Sequence, residues 1–162
     1  MIRKIGVTDT TFARADMGGL AVKTLLEHAK KRGWEIQVVR YTVPGVKDLP
    51  VANKMLLTNE KCDLAVSLGM VGREPVDAVC GHEASTGNIA VQVQTGKHVI
   101  EVFVHENEAR GSEEKLAQIM RHRTVEHCIN ALELLFDQQA LTKRAGTGKR
   151  QGGPDASFIK LF

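Results

Sequence analysis

Tyr41-Thr-Val-Pro-Gly-Val-Lys-Asp-Leu-Pro50 carries an apolar strand into a helix through a Pro-Gly turn. Pro44 fixes one backbone angle, and Gly45 admits the close approach of a ligand. Asp48 is placed to cap a helix starting at Leu49, with Pro50 in the first turn where proline is tolerated. Such a turn bares backbone N–H groups at the carboxyl end of a strand, where open α/β sheets bind their ligands. The same residues also make an ordinary short strand-to-helix connection. The flanking sequence decides between the two.

Upstream, Lys4-Ile-Gly-Val-Thr8 has the length and β-branching of a first strand, and Glu35 to Thr42 reads as a second. Between them Leu20, Ala21, Leu25, Leu26 and Ala29 recur at helical spacing from Gly18 to about Arg32, with Gly33 placed to end the helix. Downstream, Val51, Ala52, Met55 and Leu56 mark one helix face, and Leu64-Ala-Val-Ser-Leu68 is a wholly apolar strand of the kind covered on both sides. Gly69-Met-Val-Gly72 is expected to end that strand. A helix follows from about Pro75 to Val93, weakened by Gly81 and Gly87. Val99 to Val104 is a fourth strand, and Ser112 caps a long last helix striped by Leu116, Ile119, Met120, Cys128, Ile129, Leu132 and Leu135. This alternation predicts an α/β fold, a three-layer α/β/α sandwich around a mostly parallel four-stranded sheet with right-handed crossovers. Residues 1–140 form the single domain, and the Gly-rich, cationic residues 141–162 read as a C-terminal tail.

Composition narrows the function. The 162 residues are 43% hydrophobic and 25% charged, enough for one domain that buries roughly 70% of its unfolded surface. A net charge of +3 without a dense basic run interleaved with aromatics gives no sign of nucleic-acid binding. Cys62, Cys80 and Cys128 are odd in number and far apart, which argues against a disulfide framework or zinc knuckle and for thiols in a reducing cytoplasm. No apolar run approaches a membrane span, and Met1-Ile-Arg-Lys leads straight into a strand rather than a signal peptide. No Gly-x-Gly-x-x-Gly follows the first strand and no Gly-Lys-Ser/Thr loop exists, so the usual cradles for dinucleotides and nucleoside triphosphates are missing. Four loops at predicted strand ends remain: Asp9-Thr-Thr-Phe12, Val43 to Asp48, Gly69 to Glu74, and His105-Glu106. Together they indicate a small-molecule site.

Five stretches carry a family resemblance: Asp9-Thr-Thr-Phe-Ala13, Thr42-Val-Pro-Gly-Val-Lys-Asp-Leu-Pro50, Leu68-Gly-Met-Val-Gly72, Cys80-Gly-His-Glu-Ala-Ser85, and Lys97-His-Val-Ile-Glu-Val-Phe-Val-His-Glu106. The chain resembles, nearly end to end, the archaeal type of riboflavin synthase, itself similar to the lumazine synthase fold. Arg144-Ala-Gly-Thr-Gly-Lys-Arg-Gln-Gly152 also resembles that family, which favours a tail ordered against the body or a neighbour. The resemblance implies a flavodoxin-like, lumazine-synthase-like architecture and dismutation of two 6,7-dimethyl-8-ribityllumazine molecules into riboflavin and a ribitylamino pyrimidinedione. It implies no organic cofactor, an association with Mg2+ whose ligands the sequence leaves unknown, and homopentamers with active sites between subunits. One stretch separates the two related enzymes. Lumazine synthases carry a phosphate-binding Gly-Glu/Asp-Thr followed shortly by His, where this chain reads Gly72-Arg-Glu-Pro-Val-Asp77, leaving Arg73 as the group to meet an anion. Condensation to form the lumazine is therefore the second enzymatic reading, and a lumazine or flavin carrier without chemistry is the reading outside catalysis.

The chemistry matches groups to loops. A flat heterocycle needs an apolar face, which Phe12 supplies beside Thr10 and Thr11. A ribityl chain needs hydrogen-bond partners, expected from the turn Pro44, Gly45, Val46, Lys47, Asp48 and Leu49. The pyrimidine edge is expected near Gly69, Met70, Val71, Gly72 and Glu74. Removing a proton from the lumazine C7 methyl needs a base, for which His82, with Glu83 beside it, and His105, followed by Glu106, are the candidates. Arg123, with Arg121, is positioned to steady an anionic ring or to pair with acids.

Overall fold

The computed structural model describes residues 2–151 and 154–160. β3 (Leu64–Val71) is buried at every position, as its apolar sequence requires of a central strand. It pairs in parallel with β1 (Arg3–Thr10) on one side and β4 (Val99–His105) on the other, and β2 (Ile36–Val43) pairs in parallel outside β1. The order β2-β1-β3-β4 reverses direction between β1 and β3. At such a switch point the carboxyl ends of the strands open a crevice.

One face of the sheet is apolar. Here α1 (Met17–Arg32) and α4 (Glu113–Phe136) pack Leu25, Ala21, Leu116, Met120 and Leu132 against Ile5, Val7, Val66 and Leu68. Each such buried Leu or Ile contributes about 1.5–3 kcal/mol. The other face, covered by α2 (Leu49–Thr58) and α3 (Pro75–Thr95), carries two smaller apolar clusters. A buried polar chain lies on that face. Thr8 Oγ1 donates to Asn53 Oδ1 at 2.7 Å, and Asn53 Nδ2 donates to Ser67 Oγ and Asn88 Oδ1, each at 2.9 Å. Asn88 Nδ2 and Ser85 Oγ then donate to the Glu101 carboxylate at 2.8 and 2.6 Å.

Local chemistry sets the helix ends. The Asp16 carboxylate accepts from Gly19 N–H, Gly33 closes α1 with φ +69°, and Ser112 Oγ accepts from Lys115 N–H to start α4. Two expectations change. Asp48 makes no side-chain cap on α2; its carboxylate turns back to accept the Gly45 N–H at 3.1 Å, because a 3-10 turn at Val46–Asp48 precedes the helix. Gly69 to Val71 continue β3 rather than end it. Gly81 and Gly87 do not break α3: a Cβ on Gly87 would lie 2.6 Å from Pro50, and one on Gly81 3.0 Å from Val71, so these glycines let α3 approach α2 and β3. The expected boundary at 140 falls inside α5 (Gln138–Lys143). Beyond it Arg144 grips the buried Glu133 with both terminal nitrogens, and Lys149 Nζ meets Glu126 at 2.8 Å, which ties residues 144–149 along α4. Among the described residues no helix is long and apolar enough to cross a membrane.

Candidate active site

The crevice at the switch point holds an open, largely apolar pocket of about 240 Å³. Its walls come from three strand ends. Phe12 follows β1, Gly45 to Lys47 follow β2, Met70 to Gly72 close β3, and Asp77 with Cys80 reach in from the first turns of α3. Phe12 is 54% exposed, so its ring is a pocket wall and not a plug in the core. A large apolar ring left in water at a concave site is a surface for a planar ligand.

The charged groups expected at the site differ in how firmly they are held. Lys47 Nζ pairs with Glu83 at 2.6 Å, and both side chains are more than half exposed, so the pair is easily exchanged for another partner. The contact holds the Glu83 carboxyl below its ordinary range and raises the Lys47 ammonium above its own. Arg123 is the opposite case. Its guanidinium donates to both Glu108 oxygens at 2.8 and 2.6 Å and to the Phe103 carbonyl at 2.7 Å, with little exposure. This fork lowers the Glu108 carboxyl, with Arg123 as the first cause.

Two ion-pair clusters hold the Phe12 loop. On one side Arg40 bridges Asp9 at 2.5 Å and Asp16 at 2.7 Å, and Thr42 Oγ1 also donates to Asp9. On the other, Arg14 pairs with Glu113 and with Glu106, whose same oxygen also accepts from Arg73.

A profile of the 6,7-dimethyl-8-ribityllumazine synthase family matches residues 3–139. The chain belongs to that family. Within it, the chain is 49% identical to the riboflavin synthase of Methanothermobacter thermautotrophicus over 94% of this chain and 97% of that protein. It is 45% identical to the riboflavin synthase of Archaeoglobus fulgidus over 96% and 98%. Its likeness to the 6,7-dimethyl-8-ribityllumazine synthase of Pyrobaculum arsenaticum is narrower, 36% over 52% of this chain and 57% of that protein.

In this member of the lumazine synthase family the expected site residues are placed unevenly. Phe12, Gly45, Val46, Lys47, Met70, Val71 and Gly72 line the pocket together. Thr10 is buried with its hydroxyl unpaired among the described residues and does not line the pocket. Thr11 gives its hydroxyl to the Pro44 carbonyl at 3.2 Å, Asp48 is turned to Gly45, and Glu74 is exposed at the start of α3. Leu49 is fully buried in the core, and Gly69 is covered by Phe103 and Val46. Their side-chain positions face packing, not the pocket. Arg123 is committed to Glu108 and Phe103.

Neither histidine lines the pocket. His82 is exposed on α3, and its neighbour Glu83 goes to Lys47; His105 lies beside Val71 in the β3–β4 register, while Glu106 goes to Arg14 and Arg73. Adjacent residues on a helix or strand point apart, which is why sequence neighbours did not become partners. Asp77 and Cys80 were missed. The signal for them is their spacing with buried Ala84, which puts all three on the α3 face turned inward. Among the described residues no three His, Cys, Asp or Glu side chains converge on one point, whereas Mg2+ usually takes only one or two carboxylates besides water and substrate oxygens.

Proposed function

We propose that this protein converts two molecules of 6,7-dimethyl-8-ribityllumazine into riboflavin and 5-amino-6-ribitylamino-pyrimidinedione. The observation that carries this reading is the apolar, ring-faced pocket at the β1/β3 switch point, supported by relatives of that activity along nearly the whole chain. A four-carbon unit leaves one lumazine and joins the other, so electrons balance within the pair and no redox cofactor enters. The Phe12 ring, with Val46 and Val71, takes the face of the heterocycle and excludes water. Lys47, weakly paired, is free to leave Glu83 for the anion formed when the C7 methyl loses its proton. Alignment of the two rings supplies much of the rate, as held reactants gain roughly 7–11 kcal/mol.

One chain makes only part of such a site. The pocket is smaller than the roughly 300–1,000 Å³ of ordinary ligand sites. On α3 Val79, His82, Thr86, Ile89 and Val93 recur on one exposed face, Val93 80% exposed, which favours a homo-oligomer, a pentamer in this reading, with the lumazine pair between neighbours. His82 lies on that face and would then be offered to a neighbour's pocket. The free thiols, with Cys62 and Cys128 buried, fit a reducing cytoplasm.

Lumazine synthesis is the second reading, favoured by the family profile. Against it stands Arg73, the candidate for a phosphate, already paired with Glu106 at 2.8 Å. Incubation with the lumazine, with and without Mg2+, tests the proposal: riboflavin and the pyrimidinedione must appear catalytically and one to one. Stoichiometric binding without product would make the protein a carrier, and lumazine formed from the pyrimidinedione and a four-carbon phosphate would make it the condensing enzyme.

A further inference from the structure

Glu106 opens the short turn after β4 and does not line the pocket, yet its side chain is only 14% exposed. Its Oε1 accepts from Arg14 Nη1 and from Arg73 Nη2, each at 2.8 Å. Arg14 lies two residues beyond Phe12, and Arg73 directly follows Gly72. Phe12 and Gly72 both line the pocket, from the loops after β1 and β3. A second strap runs from Asn107 Nδ2 to the Arg73 carbonyl at 3.3 Å, and Glu113 takes the other end of Arg14. The two arginines and two glutamates balance, so the small polar cleft they line keeps no surplus charge for an anion. Arg73, and then Arg14, hold the Glu106 carboxyl below its ordinary range, so it is ionised at neutral pH.

We infer that Glu106 is a positioning residue: one carboxylate oxygen couples the loop carrying Phe12 to the loop carrying Gly72 and so sets the width of the ring pocket. The inference rests on the proposed lumazine site, but its first readout does not depend on the reaction. Among the described residues Arg14 and Arg73 are joined through Glu106, so a change at Glu106 reaches both loops at once.

Amide hydrogen exchange tests this. In Glu106→Gln, which weakens both ties at once, residues 11–16 should exchange roughly tenfold faster, while Arg73→Met, which leaves Arg14 on Glu106, should raise their exchange less. With lumazine as substrate, Glu106→Gln should lower kcat by about 100-fold, as a misplacement near 1 Å does, with KM changed far less. The losses in Arg14→Met and Arg73→Met should not multiply in the double variant, and either change should be nearly silent on a Glu106→Gln background. Unchanged exchange at 11–16 in both Arg73→Met and Glu106→Gln, or losses that multiply, would overturn the inference. A lowered melting temperature with unaltered exchange and kcat would reduce Glu106 to fold stability and overturn it equally. Wild-type protein that makes no riboflavin would strike the proposed function alone and leave the exchange result standing.

Discussion

The two faces of the sheet are built from the same strands and spend them differently. Under α1 and α4 the inward residues are almost all aliphatic, from Ile5 to Leu132, and the buried charges there are each held by an arginine, Asp9 by Arg40 and Glu133 by Arg144. Under α2 and α3 the same sheet presents Thr8 and Ser67, and apolar packing is broken by the Thr8–Asn53–Asn88–Glu101 chain. The pocket opens on this second side, where Val46, Asp77 and Cys80 reach the strand ends. Aliphatic packing supplies stability without direction. Hydrogen-bonded packing orients α2 and α3 on the sheet through Asn53 and Asn88, and the loops leading into them line the pocket.

The contrast can be broken from either face. Leu132→Ala opens a cavity on the aliphatic side and should cost about 2–5 kcal/mol in urea unfolding, while activity per folded molecule stays at the wild-type value. Asn53→Leu orphans buried partners on the polar side and should cost less, about 1–3 kcal/mol. It should also lower activity, because α2 carries the Gly45–Lys47 turn. Activity lost in Leu132→Ala and kept in Asn53→Leu would reverse the assignment of the faces.

Phe12→Ala sharpens the comparison without touching either core. The exposed ring contributes little to folding, so the urea midpoint should hold, whereas lumazine should bind roughly tenfold more weakly for a lost stacking contact near 1.4 kcal/mol. Calorimetry of lumazine binding to the folded variant reads this directly.

The smallest effect is a pH dependence. The Glu108 carboxyl is lowered by Arg123, whereas in the unfolded chain it titrates at about 4.3. The unfolded state therefore binds the proton first. The pair's stabilisation is intact above that pH and is lost as pH falls through the folded value. In Glu108→Gln the acid limb of the stability curve should be shallower, measured by urea midpoints at successive acid pH values; an unchanged limb would mean that Arg123 does not hold this carboxylate in solution.

Much of this organisation was legible in the letters. Leu64-Ala-Val-Ser-Leu68 announced a strand covered on both faces, and Gly33 and Ser112 marked helix ends at the positions where they act. The Tyr41–Pro50 stretch identified the pocket's turn correctly but not the work of Asp48, because a 3-10 turn ahead of the helix moves that carboxylate onto Gly45. Side-chain partnerships across the fold were not legible. Lys47 with Glu83, Arg123 with Glu108, and Arg14 with Glu106 join residues brought near only by the crossovers. Adjacency suggested His82–Glu83 and His105–Glu106 instead, and strand and helix periodicity turns each of those pairs apart.

A crystal structure with riboflavin bound bears most directly on the central claim that the pocket on the α2 and α3 side is the lumazine site. The account predicts the isoalloxazine ring against Phe12, with its pyrimidine edge near Met70 to Gly72 and its ribityl chain at the Gly45–Lys47 turn. A ring seated elsewhere, with Phe12 left in solvent, would contradict it.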